Sequence, residues 1–245
     1  MNNTEFASKV KKVATDYKTL YVMGCFGAPL TKLNKERYCD NHAYNRQKSR
    51  TAMIKSASDK TFGFDCVGLI KAILWGWSGN EARIYGGAVY ESNGVPDINA
   101  DTMIRKCSGI STDFSTITVG EVVWTNGHIG VYIGNGLVVE CTPSWANKVQ
   151  ITACNREISG YKRRNWKKHG RLPYVVYGAQ NAKKSLTVGS IVRVNKGAKT
   201  YTGGKLASFV YARKHKVKEI NGDRAVITFN GVVVAAMKKS DLTII

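Results

Sequence analysis

The segment Phe64 to Trp77, FDCVGLIKAILWGW, is apolar almost throughout, and it constrains the fold more than any other part of the chain. It falls short of the ~18 apolar residues that span a bilayer, so the rest of the protein must cover it. Asp65 at its head has the side-chain chemistry of an N-cap, and Gly79 stands just past its end. The pattern predicts a buried helix that starts at Cys66. With 245 residues, 43% of them hydrophobic, the chain has the material for such a core, which excludes a disordered or collagen-like polymer.

The sequence on either side of that helix differs in period. Before it, Phe6, Val10, Val13, Ala14 and Tyr17 recur at three- and four-residue steps, predicting an amphipathic helix over Glu5–Leu20. The polar stretch through Pro29 to the basic segment Arg46–Lys60 reads as loop and short helix. From Gly120 the runs become short and β-branched: Glu121–Trp124, His128–Ile133 and Leu137–Cys141, with further strands at Val149–Ala153 and around Trp166–Tyr177. Asn126-Gly127 and Gly134-Asn135-Gly136 separate the first three, and Asn-Gly is a strong hairpin signal. Helix first and antiparallel meander second make an α+β domain over residues 1–178.

The polar segment AQNAKKS at 179–185 reads as a linker. Beyond it, residues 186–245 carry the short runs Ser190–Val194, Phe209–Tyr211, Val217–Ile220, Ala225–Phe229 and Val232–Ala236, broken by Gly and Asn-Gly. That cadence predicts a small five-stranded all-β barrel.

Lys and Arg number 37 against 17 Asp and Glu, a net charge of +20. Residues 186–245 hold 11 against 3, so the excess is spread along the chain rather than kept in a tail. A field of this sign draws a protein to polyanions: nucleic acid, anionic membrane, or the teichoic polymers of a Gram-positive wall. The first twenty residues contain no unbroken apolar core and no small-residue cleavage site. The expectation is a soluble protein made in the cytoplasm without a signal peptide. No two of the six cysteines are closer than 13 residues, so CxxC and zinc spacings are absent and no metal or other cofactor is expected. Most of them, Cys141 and Cys154 included, read as small buried hydrophobes.

Cys66 stands apart. At a helix N-terminus, free N–H groups and the helix dipole favour negative charge and are expected to lower a thiol pKa. A base is needed beside it, and His128 opens a strand directly after a turn. Counting six residues on either side of Gly134 sets Glu140 opposite His128 across the hairpin. Cys66, His128 and Glu140 then form a nucleophile, base and orienting carboxylate. The Cys66 N–H is the natural oxyanion donor. Trp145, in a turn just past the third strand, is a candidate to line a substrate groove.

Phe64-Asp65-Cys66-Val67-Gly68-Leu69 followed by His128-Ile129-Gly130-Val131-Tyr132-Ile133-Gly134 resembles the two motifs of the NlpC/P60 cysteine peptidases, papain-like enzymes that cut peptidoglycan stem peptides. The resemblance covers Tyr21 to about Tyr177. It departs at the third position, where the family usually carries His and this chain carries Glu140. Tyr21-Val22-Met23-Gly24-Cys25 resembles the family's Tyr-bearing segment before the nucleophile, so the resemblance implies a substrate-binding role for Tyr21. It lies 45 residues from Cys66, and the basic stretch between must loop out. The C-terminal strands resemble a bacterial SH3-like wall-binding module. Together these imply a phage endolysin that reaches Gram-positive peptidoglycan after a holin opens the membrane. The implied activity is a γ-D-glutamyl–diamino acid endopeptidase, or an N-acetylmuramoyl-L-alanine amidase using the same site, with no nucleic-acid partner and no membrane insertion.

A reading of another class is a non-enzymatic nucleic-acid-binding protein, with Tyr201, Phe209 and Tyr211 among basic residues as a stacking platform. It leaves the Cys/His pattern without a role.

Overall fold

The structure, a computed structural model, describes residues 1–178 and 186–245. The chain divides into two compact units, Met1–Gly178 and Ala179–Ile245. The expected linker at 179–185 lies outside the described residues. Helices and several sheets are mixed, and no helix among the described residues is long and apolar enough to cross a membrane.

In the first unit, α1 (Asn3–Asp16) is capped by Asn2, whose side chain accepts from the Glu5 N–H, and it buries Phe6, Val10 and Val13. The sequence period extends this helix to Leu20, but Thr19-Leu20-Tyr21 instead forms β1 (Thr19–Tyr21). Pairing is the reason: β1 runs parallel to a later strand and sets Tyr21 against Phe64. Next come β2 (Phe26–Pro29), α2 (Lys32–Asn41), α3 (Ala43–Arg46), α4 (Lys48–Ser56) and β3 (Phe62–Phe64). The basic stretch between Tyr21 and Cys66 is thus three short helices closed by β3, which lies between β1 and β2. Its return brings Tyr21 level with the segment leading into Cys66.

The apolar segment forms α5 (Cys66–Leu74), and every one of its residues is buried. Lys71 is among them and pairs with Asp97, which keeps its charge from being buried alone. After α6 (Ala100–Arg105) come β4 (Ser108–Ser111), β5 (Val122–Thr125), β6 (His128–Gly134), β7 (Leu137–Thr142), β8 (Lys148–Cys154), β9 (Arg163–Arg164) and β10 (Lys168–Arg171). These strands make one sheet in the order β4-β10-β5-β6-β7-β8-β9. Period-2 alternation sorts its side chains: Ile129, Val131, Val139 and Cys141 join the core around α5, while Val123, Val138 and Trp166 pack together in a second cluster.

The second unit holds β11 (Ile191–Val194), α7 (Ser208–Ala212), β12 (His215–Asn221), β13 (Arg224–Phe229), β14 (Val232–Lys238) and β15 (Leu242–Ile244). Among the described residues five strands form one sheet in the order β14-β13-β12-β11-β15, with β14 and β15 as its two ends. Two assignments change. Phe209–Tyr211 is helical in α7, because only Val210 of the three is buried while Phe209 stays largely exposed; β propensity needs a half-buried pleated surface to act on. The fifth strand is β15, whose Leu242 and Ile244 pair with β11. Asn230 and Gly231, both at positive φ, form the β13–β14 turn that Asn-Gly predicts.

Candidate active site

Asp65 caps α5 as its position predicts. One carboxylate oxygen accepts the Gly68 N–H at 2.6 Å and the other accepts the Gly24 N–H at 2.7 Å. The same side chain therefore ties the loop after β1 to the start of the helix. The Asp65 N–H in turn reaches the Cys25 carbonyl at 2.9 Å. A β-carbon on Gly68 would stand 2.2 Å from that carbonyl oxygen, so only glycine allows the loop this close.

Cys66 is 8% exposed. The backbone N–H groups of Ile129, Val67 and Cys66 itself lie against its sulfur and favour the thiolate. Ile129 directly follows His128, so the strand that carries the histidine also meets the thiol through its backbone. No hydrogen bond joins the sulfur to the imidazole among the described residues. Burial outweighs the N–H donors, and Asp65 adds to it, so the thiol is pushed up to about 12. This corrects the expectation of a lowered thiol pKa: the helix terminus is present, but desolvation wins. The resting sulfur is protonated.

His128 Nε2 sits 2.6 Å from Glu140 Oε2. The register differs from the count about Gly134. Val131 pairs with Val139, which extends to Gly130, not His128, against Glu140. The turn is centred on Asn135, with an irregularity between Tyr132 and Gly134. The shift is two residues, so both side chains keep the same face and meet diagonally.

Glu140 is no solvated edge charge; it exposes none of its surface. Thr152 Oγ1 donates to its Oε1 at 2.6 Å, and Arg164 Nε forms an ion pair with Oε2 at 2.6 Å. Burial works to raise the carboxyl pKa, but the bond and charge of His128, with those of Arg164, hold it below the usual carboxylate range. Glu140 is ionised.

Tyr21 is 6% exposed, within electrostatic reach of Cys66, Asp65 and Cys141. Burial raises its phenol pKa well above the ordinary value. It forms an inner wall beside the thiol, braced by Arg50 of α4, which donates to the Tyr21 carbonyl and to Asn147 Oδ1. Trp145 is 46% exposed at a φ of 55°, an unusual angle for a bulky residue. Arg164 lies over its ring at 4.7 Å, which links Trp145 to Glu140. Of the five residues singled out by sequence, His128, Glu140 and Trp145 are connected through Arg164 and Tyr21 lies within electrostatic reach of Cys66; the Ile129 N–H on the Cys66 sulfur is what relates the two groups. The structure adds Arg164, Thr152 and Trp166, which sequence reasoning missed. The β7–β8 register carries a signal for Thr152, two positions from the residue opposite Glu140; nothing local points to Arg164.

All six cysteines are buried free thiols. Cys141 lies under the site, its Sγ 3.2 Å from the Phe64 carbonyl. Among the described residues no group of three His, Cys, Asp or Glu side chains is placed to hold a metal ion. In the second unit Tyr211 donates to the Ala198 carbonyl, and Arg213 covers the face of Phe209. Of the three aromatics weighed for stacking, these two are already engaged within the unit.

Set against known proteins, the chain matches no family model and no curated protein.

Proposed function

We propose that the first unit is a cysteine amide hydrolase of the NlpC/P60 type that cleaves peptidoglycan stem peptides. The observation that carries this reading is the Cys66 thiol at the head of α5 set against the N–H of Ile129, the residue that follows a histidine whose imidazole is held at 2.6 Å by a buried carboxylate.

The mechanism uses one tautomer of a neutral ring. An ionised Glu140 only accepts, so Nε2 carries the proton it shares with the carboxylate, and Nδ1 presents its lone pair. Nδ1 takes the proton from Cys66 as sulfur attacks the scissile carbonyl. The Cys66 N–H faces the developing oxyanion. Collapse returns the proton to the leaving amine and leaves an acyl-thioester. Water, activated by the same imidazole, releases the acid and the free thiol. Because the resting thiol is neutral, proton transfer belongs to the attack step rather than preceding it.

The bond cut is the γ-D-glutamyl link to the diamino acid. An N-acetylmuramoyl-L-alanine amidase would use the same groups, and muropeptide masses distinguish the two by the new amino terminus. Trp145 offers an exposed platform beside the site, and Tyr21 shapes its inner wall. The second unit serves as an SH3-like wall-binding module, its charge matched to teichoic phosphates. The whole is an endolysin made in the host cytoplasm that acts on the Gram-positive wall after release.

Turbidity loss of purified walls tests the reading. The native protein is expected to clear them and Cys66→Ala to leave them intact. Equal clearing by both would end it.

A further inference from the structure

A column of flat groups runs outward from the imidazole. Trp166 stacks on His128 with centroids 5.4 Å apart and planes 13° from parallel. The Arg164 guanidinium lies 5.7 Å from the Trp166 centroid and 4.7 Å from that of the exposed Trp145. It also donates to Thr142 Oγ1 at 3.2 Å while its Nε pairs with Glu140. Oε2 of Glu140 is therefore shared between an imidazole and a guanidinium.

A charge count decides what the guanidinium does. Glu140 is wholly buried, and a buried carboxylate is costly without a cation beside it. For His128 to accept a proton from Cys66 its ring must be neutral, and a neutral ring is no counter-ion. The acids around the site do not help. Cys66 and Asp65 from the head of α5, Cys141 from β7 and Tyr21 from β1 are acids, and burial keeps the thiols and the phenol protonated. Thr152 on β8 is neutral. Among the described residues, His128 and Arg164 are the ion-pair partners of Glu140. Arg164 is the cation that persists when the ring is neutral.

We propose that Arg164 is a positioning residue that keeps Glu140 ionised while His128 is neutral, so that the imidazole can act as a base. The inference rests on Cys66 and His128 being the reacting pair. Without the guanidinium the site reaches neutrality by holding a proton. On Glu140 that proton removes the acceptor that orients the ring. On His128 it occupies the lone pair the thiol needs.

The test follows the rate of Cys66 alkylation by iodoacetamide against pH, read by peptide mass on the folded full chain, so no wall substrate enters. In Arg164→Gln the acid limb is expected to move up by about one pH unit, with about tenfold slower alkylation below it. Arg164→Lys, which keeps the charge, is expected to hold the limb near its native position. The double variant Glu140→Gln/Arg164→Gln, which removes both charges, is expected to return it toward native. A limb unmoved in Arg164→Gln, or moved as far in Arg164→Lys, overturns the proposal and reduces Arg164 to packing. Should Arg164→Gln not fold, the Lys and double variants decide: a native limb in both supports the proposal, and a raised limb in either sinks it. Failure of the underlying reading looks different: native Cys66 would alkylate no faster than in His128→Ala.

Discussion

His128 and Glu140 meet side chain to side chain at 2.6 Å although they are not cross-strand partners; the contact is a diagonal one on a shared face. Glu140 receives three groups, from β6, β8 and β9, so it organises the sheet edge as well as the imidazole.

Replacing that carboxylate separates its two duties. Glu140→Gln keeps the shape but leaves no negative charge to stabilise a protonated imidazole, and its amide can turn a donor toward Nε2. Wall-lysis rate is expected to fall by about 10²-fold or more, within the range general acid–base groups supply. Glu140→Ala also leaves the half-buried Arg164 and the buried Thr152 without their partner and is expected to cost about 1–3 kcal/mol in urea unfolding. A Gln variant as active as native would remove Glu140 from the mechanism.

Buried thiols make the fold sensitive to alkali. Burial raises Cys25 and Cys66 from an ordinary 9.0 to about 12. Below pH 9 their thiols are protonated whether folded or unfolded, and their contribution is fully present. Between 9 and 12 the unfolded chain ionises while the folded one does not, so stability is lost as pH rises. Each contributes about 1.4 kcal/mol per pH unit over that window. Melting temperature measured from pH 7.5 to 10.5 is expected to fall progressively above 9, and less steeply in Cys25→Ala. An unchanged slope in that variant would place the alkaline loss elsewhere.

What the sequence revealed was local. Asp65 before an apolar run marks a capped helix because the cap acts within three residues. Asn-Gly marks hairpins because positive φ is a property of the turn residues themselves. The register of β6 and β7 was legible only to within two residues, since it depends on where the Gly134-Asn135-Gly136 turn centres. The site survived that error because side-chain parity has period 2. Arg164 was hidden for a different reason: β9 is two residues long and pairs parallel to β8, setting Arg164 beside Cys154. No spacing in the chain announces that Arg164 will reach Glu140. Helix α7 was missed because its apolar triplet resembles a strand until burial is known.

Gly68 sets two effects against each other. Alanine at a helix interior is worth about 1 kcal/mol over glycine. Here its β-carbon would stand 2.2 Å from the Cys25 carbonyl oxygen and 2.8 Å from Asp65 Oδ1. Backbone atoms cannot yield as a flexible side chain can, so the clash outweighs the propensity gain. Gly68→Ala is expected to lower stability by about 1–3 kcal/mol and to lower lysis further than that loss explains, because the displaced helix start carries Cys66. Urea unfolding and turbidity assays on one preparation check both. A stabilised, fully active variant would show that the loop does not depend on this approach.

A second histidine–carboxylate pair gives the fold an acid-side dependence separate from the site. His169 Nδ1 pairs with Glu121 Oε2, and Arg171 donates to Oε1 at 3.0 Å, joining β10 to the start of β5. For His169 burial works to lower the pKa, but the Glu121 bond and the Asp113 carbonyl outweigh it and raise it above the ordinary 6.5. For Glu121 burial works to raise it, but His169 and Arg171 hold it below 4.5. The signs then fix the window. The histidine's contribution is fully present below pH 6.5 and fades as pH rises through its folded pKa. The glutamate's is present above 4.5 and fades as pH falls through its own. Both act together between about 4.5 and 6.5. His169→Gln is therefore expected to lower melting temperature more at pH 5.5 than at pH 9, because the charge contribution fades as pH rises through the raised folded pKa. A destabilisation equal at both pH values would mean that His169 contributes shape and hydrogen bonding but no charge.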